Sequence, residues 1–236
     1  MPTWSYDPTR HQYRDLGTGH YVSHSTIIEW AYAYADASID VMDTLSGLLW
    51  NGQLGVGQWQ SAMRQAVKTQ YVNQYIAGRG GLAQMTQRDW GALGRMLRDQ
   101  YGYLDGFAED VAAGRVSEAQ LRDRAKLYID AAHEAFERGR AEAFGLPTLP
   151  AYPADGQTSC ITRCRCNWII KPVLKDGVVI GWSLTWRLEP KAKHCADCPS
   201  NAKIWGPLFV PAGMTTAEAR EWRLAEQDRM FAARGG

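Results

Sequence analysis

Cys160-Ile161-Thr162-Arg163-Cys164-Arg165-Cys166, together with His194-Cys195-Ala196-Asp197-Cys198, is the part of this chain whose reading decides the rest. All five cysteines of the 236 residues fall in these two groups. Thiolates bind zinc in tetrahedral sets of four, and two short-spaced groups on neighbouring loops are the usual way to supply them. Between the groups, Asn167 to Leu174 and Val178 to Trp186 read as two strands joined by a turn at Lys175-Asp176-Gly177. Pro172 places the first strand at an edge. Such a hairpin brings both groups to its open end, as in zinc-ribbon folds.

Five cysteines and a histidine exceed four ligands. The expected set is Cys195 and Cys198 with two of Cys160, Cys164 and Cys166, the spacing leaving open which two. His194 is expected beside the ligands or exposed, not among them. Structural disulfides, which an oxidising setting permits, and free or redox thiols are the competing readings. Arg163, Arg165, Lys191 and Lys193 flank the groups, and their charge is expected to lower the thiol pKa values. The metal would hold a fold, because catalytic zinc keeps a position open and favours His and carboxylate ligands.

Charge follows the same division. Residues 1–159 carry 14 Lys and Arg against 18 Asp and Glu, residues 160–203 carry 8 against 3, and the remainder carries 4 against 4. A basic, Cys-rich module therefore follows an acidic, Cys-free one. The formal charge of +1 and 45% hydrophobic content are ordinary globular values. No stretch approaches the roughly 20 apolar residues that span a bilayer, and Met1 to Asp15 has no secretory pattern. A reducing cytoplasm is the expected setting.

Ahead of the cysteines, apolar residues recur at helical spacing from Ser25 to about Gly145. The runs are Ile27 to Leu45, Trp59 to Ile76, Trp90 to Val111, and Leu121 to Phe144. Thr26 with Glu29 and Thr86 with Asp89 have capping-box spacing, and Ser117 caps the last run. The expected fold class is mainly α: about four long helices, a small zinc-ribbon-like hairpin module, and a C-terminal helix. That last helix, Thr215 to about Ala233, is expected to pack by Trp222, Leu224 and Met230. The expected divisions are an aromatic arm (1–24), helical domain (25–145), Pro-rich linker (146–158), Cys-rich module (159–210) and C-terminal helix (211–236). Within the arm, Asp15 to Gly19 suits a hairpin turn.

Catalytic motifs are absent: there is no G-x-x-x-x-G-K-[ST], H-E-x-x-H or G-x-S-x-G. Gly78-Arg79-Gly80-Gly81 reads as a helix–helix turn, and His133 as a structural histidine. The chain is expected not to be an enzyme.

Two segments carry a resemblance. Tyr13-Arg14-Asp15-Leu16-Gly17-Thr18-Gly19-His20-Tyr21-Val22-Ser23 is similar to the amino-terminal segment of certain tailed-phage head proteins. Thr158 to Cys166 resembles the C-x-x-N-C-R-C ending of Mu F-like minor head proteins, whose C-x-x-C is matched by Cys195 to Cys198. The resemblance implies a virion component made in the host cytoplasm. It would meet the portal or major capsid protein, be oligomeric in the assembly, and serve DNA packaging or delivery. The alternative is a zinc-ribbon nucleic-acid-binding protein. There Arg163, Arg165, Lys171, Lys191 and Lys193 would meet phosphates and exposed tryptophans would stack on unpaired bases.

Overall fold

Ser23 starts the first helix, its hydroxyl accepting the N–H of Thr26 in a computed structural model that describes residues 3–235. The expected box at Thr26 and Glu29 does not form, because both residues already lie inside α1 (His24–Trp50). After α2 (Val56–Arg79), helices α3 (Gln87–Ala112) and α4 (Glu118–Asp130) begin at the expected caps. Thr86 pairs with Asp89, and Ser117 with Gln120. The fourth expected helix is two: α4 ends at Asp130 and α5 (Ala132–Ala143) follows after Ala131. No Pro or Gly marks that break; Ala131 itself keeps helical dihedrals, and a sequence pattern has nothing to register there.

α2 fills one core with Trp59, Met63, Val67 and Tyr71 against Leu93, Leu104 and Phe107 of α3 and Leu121 and Ile129 of α4. α2 crosses α5 with backbones almost touching. A Cβ on Gly78 would strike the carbonyl oxygen of Phe136, and one on Gly139 that of Tyr75. The Gly78 to Gly81 segment is thus a helix end, with Gly80 in the left-handed conformation at φ 91°.

The arm folds into a three-stranded antiparallel sheet, β1 (Trp4–Asp7), β2 (Gln12–Asp15) and β3 (Tyr21–Val22). The expected turn is present, with Asp15 Oδ1 accepting the N–H groups of Gly17 (3.0 Å) and Thr18 (2.7 Å). Trp4, Tyr6 and Tyr13 are buried in this chain's own core, so they are not free to dock on a neighbour. Trp4 Nε1 donates to the Ala77 carbonyl at 3.1 Å, and Tyr13 donates to that of Gly78.

The second sheet has the order β4 (Asn167–Lys175), β5 (Val178–Arg187) and β6 (Leu208–Pro211), so Pro172 does lie on an edge strand. Helices α6 (Asp197–Ile204) and α7 (Thr216–Gly235) complete the chain; α6 and β6 are additions to the sequence reading. Met230 is buried and Trp222 partly so, but Leu224 is exposed, contrary to expectation.

Residues 146–158 are not a free linker. Leu146, Leu149, Ala151, Tyr152 and Ala154 are buried. They share one core with Trp4, Tyr6, Tyr13, Ile27, Phe144 and the tryptophans of the sheet. The second core therefore draws on arm, proline segment, Cys-rich segment and C-terminal helix together, so the expected Pro-rich linker is packed into a core.

A polar stripe on α5 joins the helices to the sheet. His133, Glu137 and Arg140 lie on one face at steps of four and three, all buried. His133 Nε2 meets the Cys166 carbonyl at 2.9 Å, and Glu137 accepts the Trp168 N–H at 3.3 Å. Arg140 pairs with Glu137 at 2.8 Å and donates to His24 Nδ1 at 3.1 Å. His24 Nε2 then bonds the Asn167 side chain at 2.8 Å. Burial, and then the Arg140 charge, push the His24 pKa down to about 3.

Two predictions follow from this packing. Gly78→Ala forces α2 from α5 and lowers stability by about 2 kcal/mol, read by denaturant unfolding. His24 is neutral when folded but takes a proton when unfolded, so its contribution is complete above about pH 6.5 and is lost as pH falls toward 3. The stability of the wild type relative to His24→Gln therefore declines between pH 7 and pH 5; a constant difference contradicts the assignment.

Candidate metal centre

Both cysteine groups meet at the open end of the β4–β5 hairpin. A tight turn, with Ile161 N–H bonded to the Thr158 carbonyl (2.7 Å) and Arg163 N–H to that of Cys160 (2.9 Å), carries Cys160 and Cys164 inward. It holds Ile161 at φ 53°, an uncommon conformation for a β-branched residue. The second group opens α6, with Cys195 just before it and Cys198 in its first turn. Asp197 closes the two segments together, its carboxylate accepting the Ser159 N–H at 2.6 Å and hydroxyl at 2.5 Å.

Cys198 is the hub. Its Sγ lies 3.9 Å from Cys160, 3.8 Å from Cys164 and 3.5 Å from Cys195, and Cys195 is 3.5 Å from Cys160. Sulfurs about 2.3 Å from a tetrahedral zinc ion are separated by about 3.8 Å. Disulfide sulfurs would be about 2.05 Å apart. The separations fit ligands around an ion and do not fit disulfides. Cys160, Cys164 and Cys198 form one group that could hold a metal ion, and Cys166, His194 and Cys198 form another.

His194 thus joins the donors, against the expectation that it stands outside them. Its Nδ1 is 3.8 Å from Cys166 Sγ, while Nε2 meets the Glu189 carbonyl at 2.9 Å. A proton on Nε2 donated to that carbonyl leaves the Nδ1 lone pair facing the thiols. Metal-bound histidines are oriented in this way. The sequence signal was adjacency to Cys195; what spacing could not show was the loop that turns the ring inward.

At Cys160, Cys166 and Cys198 the thiol pKa values are raised, not lowered as expected from the flanking cations. Cys160 and Cys166 are raised, first by hydrogen bonding with Cys164 and then by burial among other influences. At Cys198 a hydrogen bond with Cys164 pulls downward, but Cys166, burial and Cys195 raise the thiol. Thiols crowded this closely resist becoming anions beside one another, and a divalent cation removes that repulsion.

Arg165 turns away from solvent. Its guanidinium pairs with Asp36 of α1 at 2.7 Å and lies 5.0 Å from the Tyr32 ring centroid, while Tyr32 donates to the Arg165 carbonyl. Arg163, Lys171, Lys191 and Lys193 are exposed. Trp168, Trp182 and Trp186 are buried, as expected of core residues at least for the last two. Trp205 closes the packing, with centroids 5.4 Å from Trp168 and 5.8 Å from Trp186. None of these rings is placed to stack on a base.

A cavity of about 740 Å³ lies elsewhere, between α3, α4, α5 and the loop at 154–162. Its Glu134 is paired with Arg138 at 2.6 Å. Among the described residues no helix is long and apolar enough to cross a membrane.

Arg165→Ala removes a half-buried ion pair and a cation–π contact, and is expected to cost about 1 kcal/mol with metal content unchanged. Denaturant unfolding and metal analysis of the same preparation check both parts.

No protein-family model matches the chain, and no curated protein or solved structure matches it.

Proposed function

We propose that this chain is a structural component of a tailed-phage head, a minor capsid or portal-proximal adaptor that acts by binding, with zinc holding its second core. One observation carries the reading: Cys164-Arg165-Cys166, part of the stretch that resembles Mu F-like minor head proteins, fastens the Cys-rich segment to the helices. Both thiols join the donor cluster, and the arginine between them reaches Asp36. A C-R-C that forms such a clasp suits a protein whose work is to hold geometry. Zinc is the ion of choice, since a thiolate-dominated set of tetrahedral spacing suits it better than magnesium, calcium or manganese.

The nucleic-acid alternative has less support, because Trp168, Trp182 and Trp186 are buried and Arg165 is engaged. Phosphate contacts would fall to Arg163, Lys171, Lys191 and Lys193 alone. Turnover is not proposed. Docking would use what the arm leaves outside, Leu16 and Tyr21, and exposed apolar residues of α1 such as Val41 and Trp50.

Co-expression with the portal and major capsid proteins of the same genome, followed by mass spectrometry of purified heads, tests the proposal. The chain is expected in the particles at a few copies each. Absence from heads, with steeply salt-dependent binding to single-stranded DNA, would instead support the alternative.

A further inference from the structure

Six donors converge where one tetrahedral ion needs four. A single ion bound by Cys160, Cys164, Cys195 and Cys198 would leave Cys166 and His194 idle. Yet His194 is held by the Glu189 carbonyl with its free nitrogen toward Cys166, and both lie within 4.8 Å of Cys198. A ring fixed in that way is built for a ligand.

We propose that the cluster is binuclear, holding two zinc ions bridged by the thiolates of Cys164 and Cys198. The inference rests on the metal reading above and extends it. Two four-coordinate ions have eight positions, and six donors fill eight when two of them bridge. Cys198 is the first bridge because it is the one sulfur common to both groups. Cys164 is the second. It is buried, lies between Cys160 and Cys166 in the chain, and its sulfur is 3.8 Å from that of Cys198. Cys160 and Cys195, 3.5 Å apart, then complete one ion, and Cys166 and His194, 3.8 Å apart, the other.

Charge favours the same count. One zinc with four thiolates carries two negative charges, whereas two zincs with five thiolates carry one. The smaller charge costs less beside a core of tryptophans. Loading releases five thiol protons, one for each cysteine, and none from His194, which binds as the neutral ring.

Native mass spectrometry of the full chain, zinc-loaded in reductant and freed of excess metal, decides the stoichiometry. Two zinc ions per chain are expected, falling to one in His194→Ala and in Cys166→Ser, with tryptophan fluorescence as the check on folding. One ion in the wild type, unchanged in His194→Ala, would overturn the binuclear proposal and leave the single-zinc reading intact. No bound zinc would remove both. If the variants fail to fold, the wild-type count alone settles the matter. A cobalt titration gives a second measure, its thiolate-to-metal absorption saturating at two equivalents in a binuclear site and at one otherwise.

Discussion

Everything around the candidate metal centre hangs from the polar stripe of α5. An ion pair as buried as Glu137 and Arg140 is costly to place in a core, and removing one partner typically costs about 3–5 kcal/mol. Here the charges also serve the backbone. Glu137 takes the N–H of Trp168, His133 meets the carbonyl of Cys166, and Arg140 reaches Asn167 through His24. Three consecutive residues, the last cysteine of the first group and the start of β4, are thereby fixed to a helix. That helix is itself locked to α2 by two glycines.

The constraint explains why the cysteines can be so crowded. With Cys166 anchored from below, the turn through Ile161 carries Cys164 and Cys160 over the same point. The Asp197 contact to Ser159 then delivers the second group from α6. The tryptophan cluster of Trp168, Trp186 and Trp205 packs in the same core as the buried Cys164, Cys166 and Cys198. Arm and proline segment close the other side. The molecule is thus two cores sharing a strut, with the Cys-rich segment tied to the helices through α5.

Much of this was legible in the residues. The helical runs, two of the three inspected caps, the hairpin, its edge proline and the convergence of the cysteines all follow from spacing and turn chemistry. What spacing could not give were contacts between distant segments. A proline-rich stretch reads as a linker because its backbone is extended, yet Leu149 and Tyr152 bury themselves against the sheet. An aromatic arm gives no sign in its own sequence of where it packs, and only the structure shows Trp4 and Tyr13 finding the carbonyls at the end of α2. His194 looked like a neighbour of the ligands because the carbonyl that orients it belongs to a loop with no pattern of its own. The break at Ala131 has no local signal, since neither Pro nor Gly stands beside it and Ala131 keeps helical dihedrals.

The central claim is that metal bound by the cysteines keeps the second core closed upon α5. Amide hydrogen exchange of the full chain, zinc-loaded and after chelation, tests it at the joint. The account predicts that the Trp168 amide, with those of β4 and β5, is protected in the loaded protein and exchanges much faster after chelation, while α2 and α3 keep their protection. Equal protection of Trp168 in both states would contradict it.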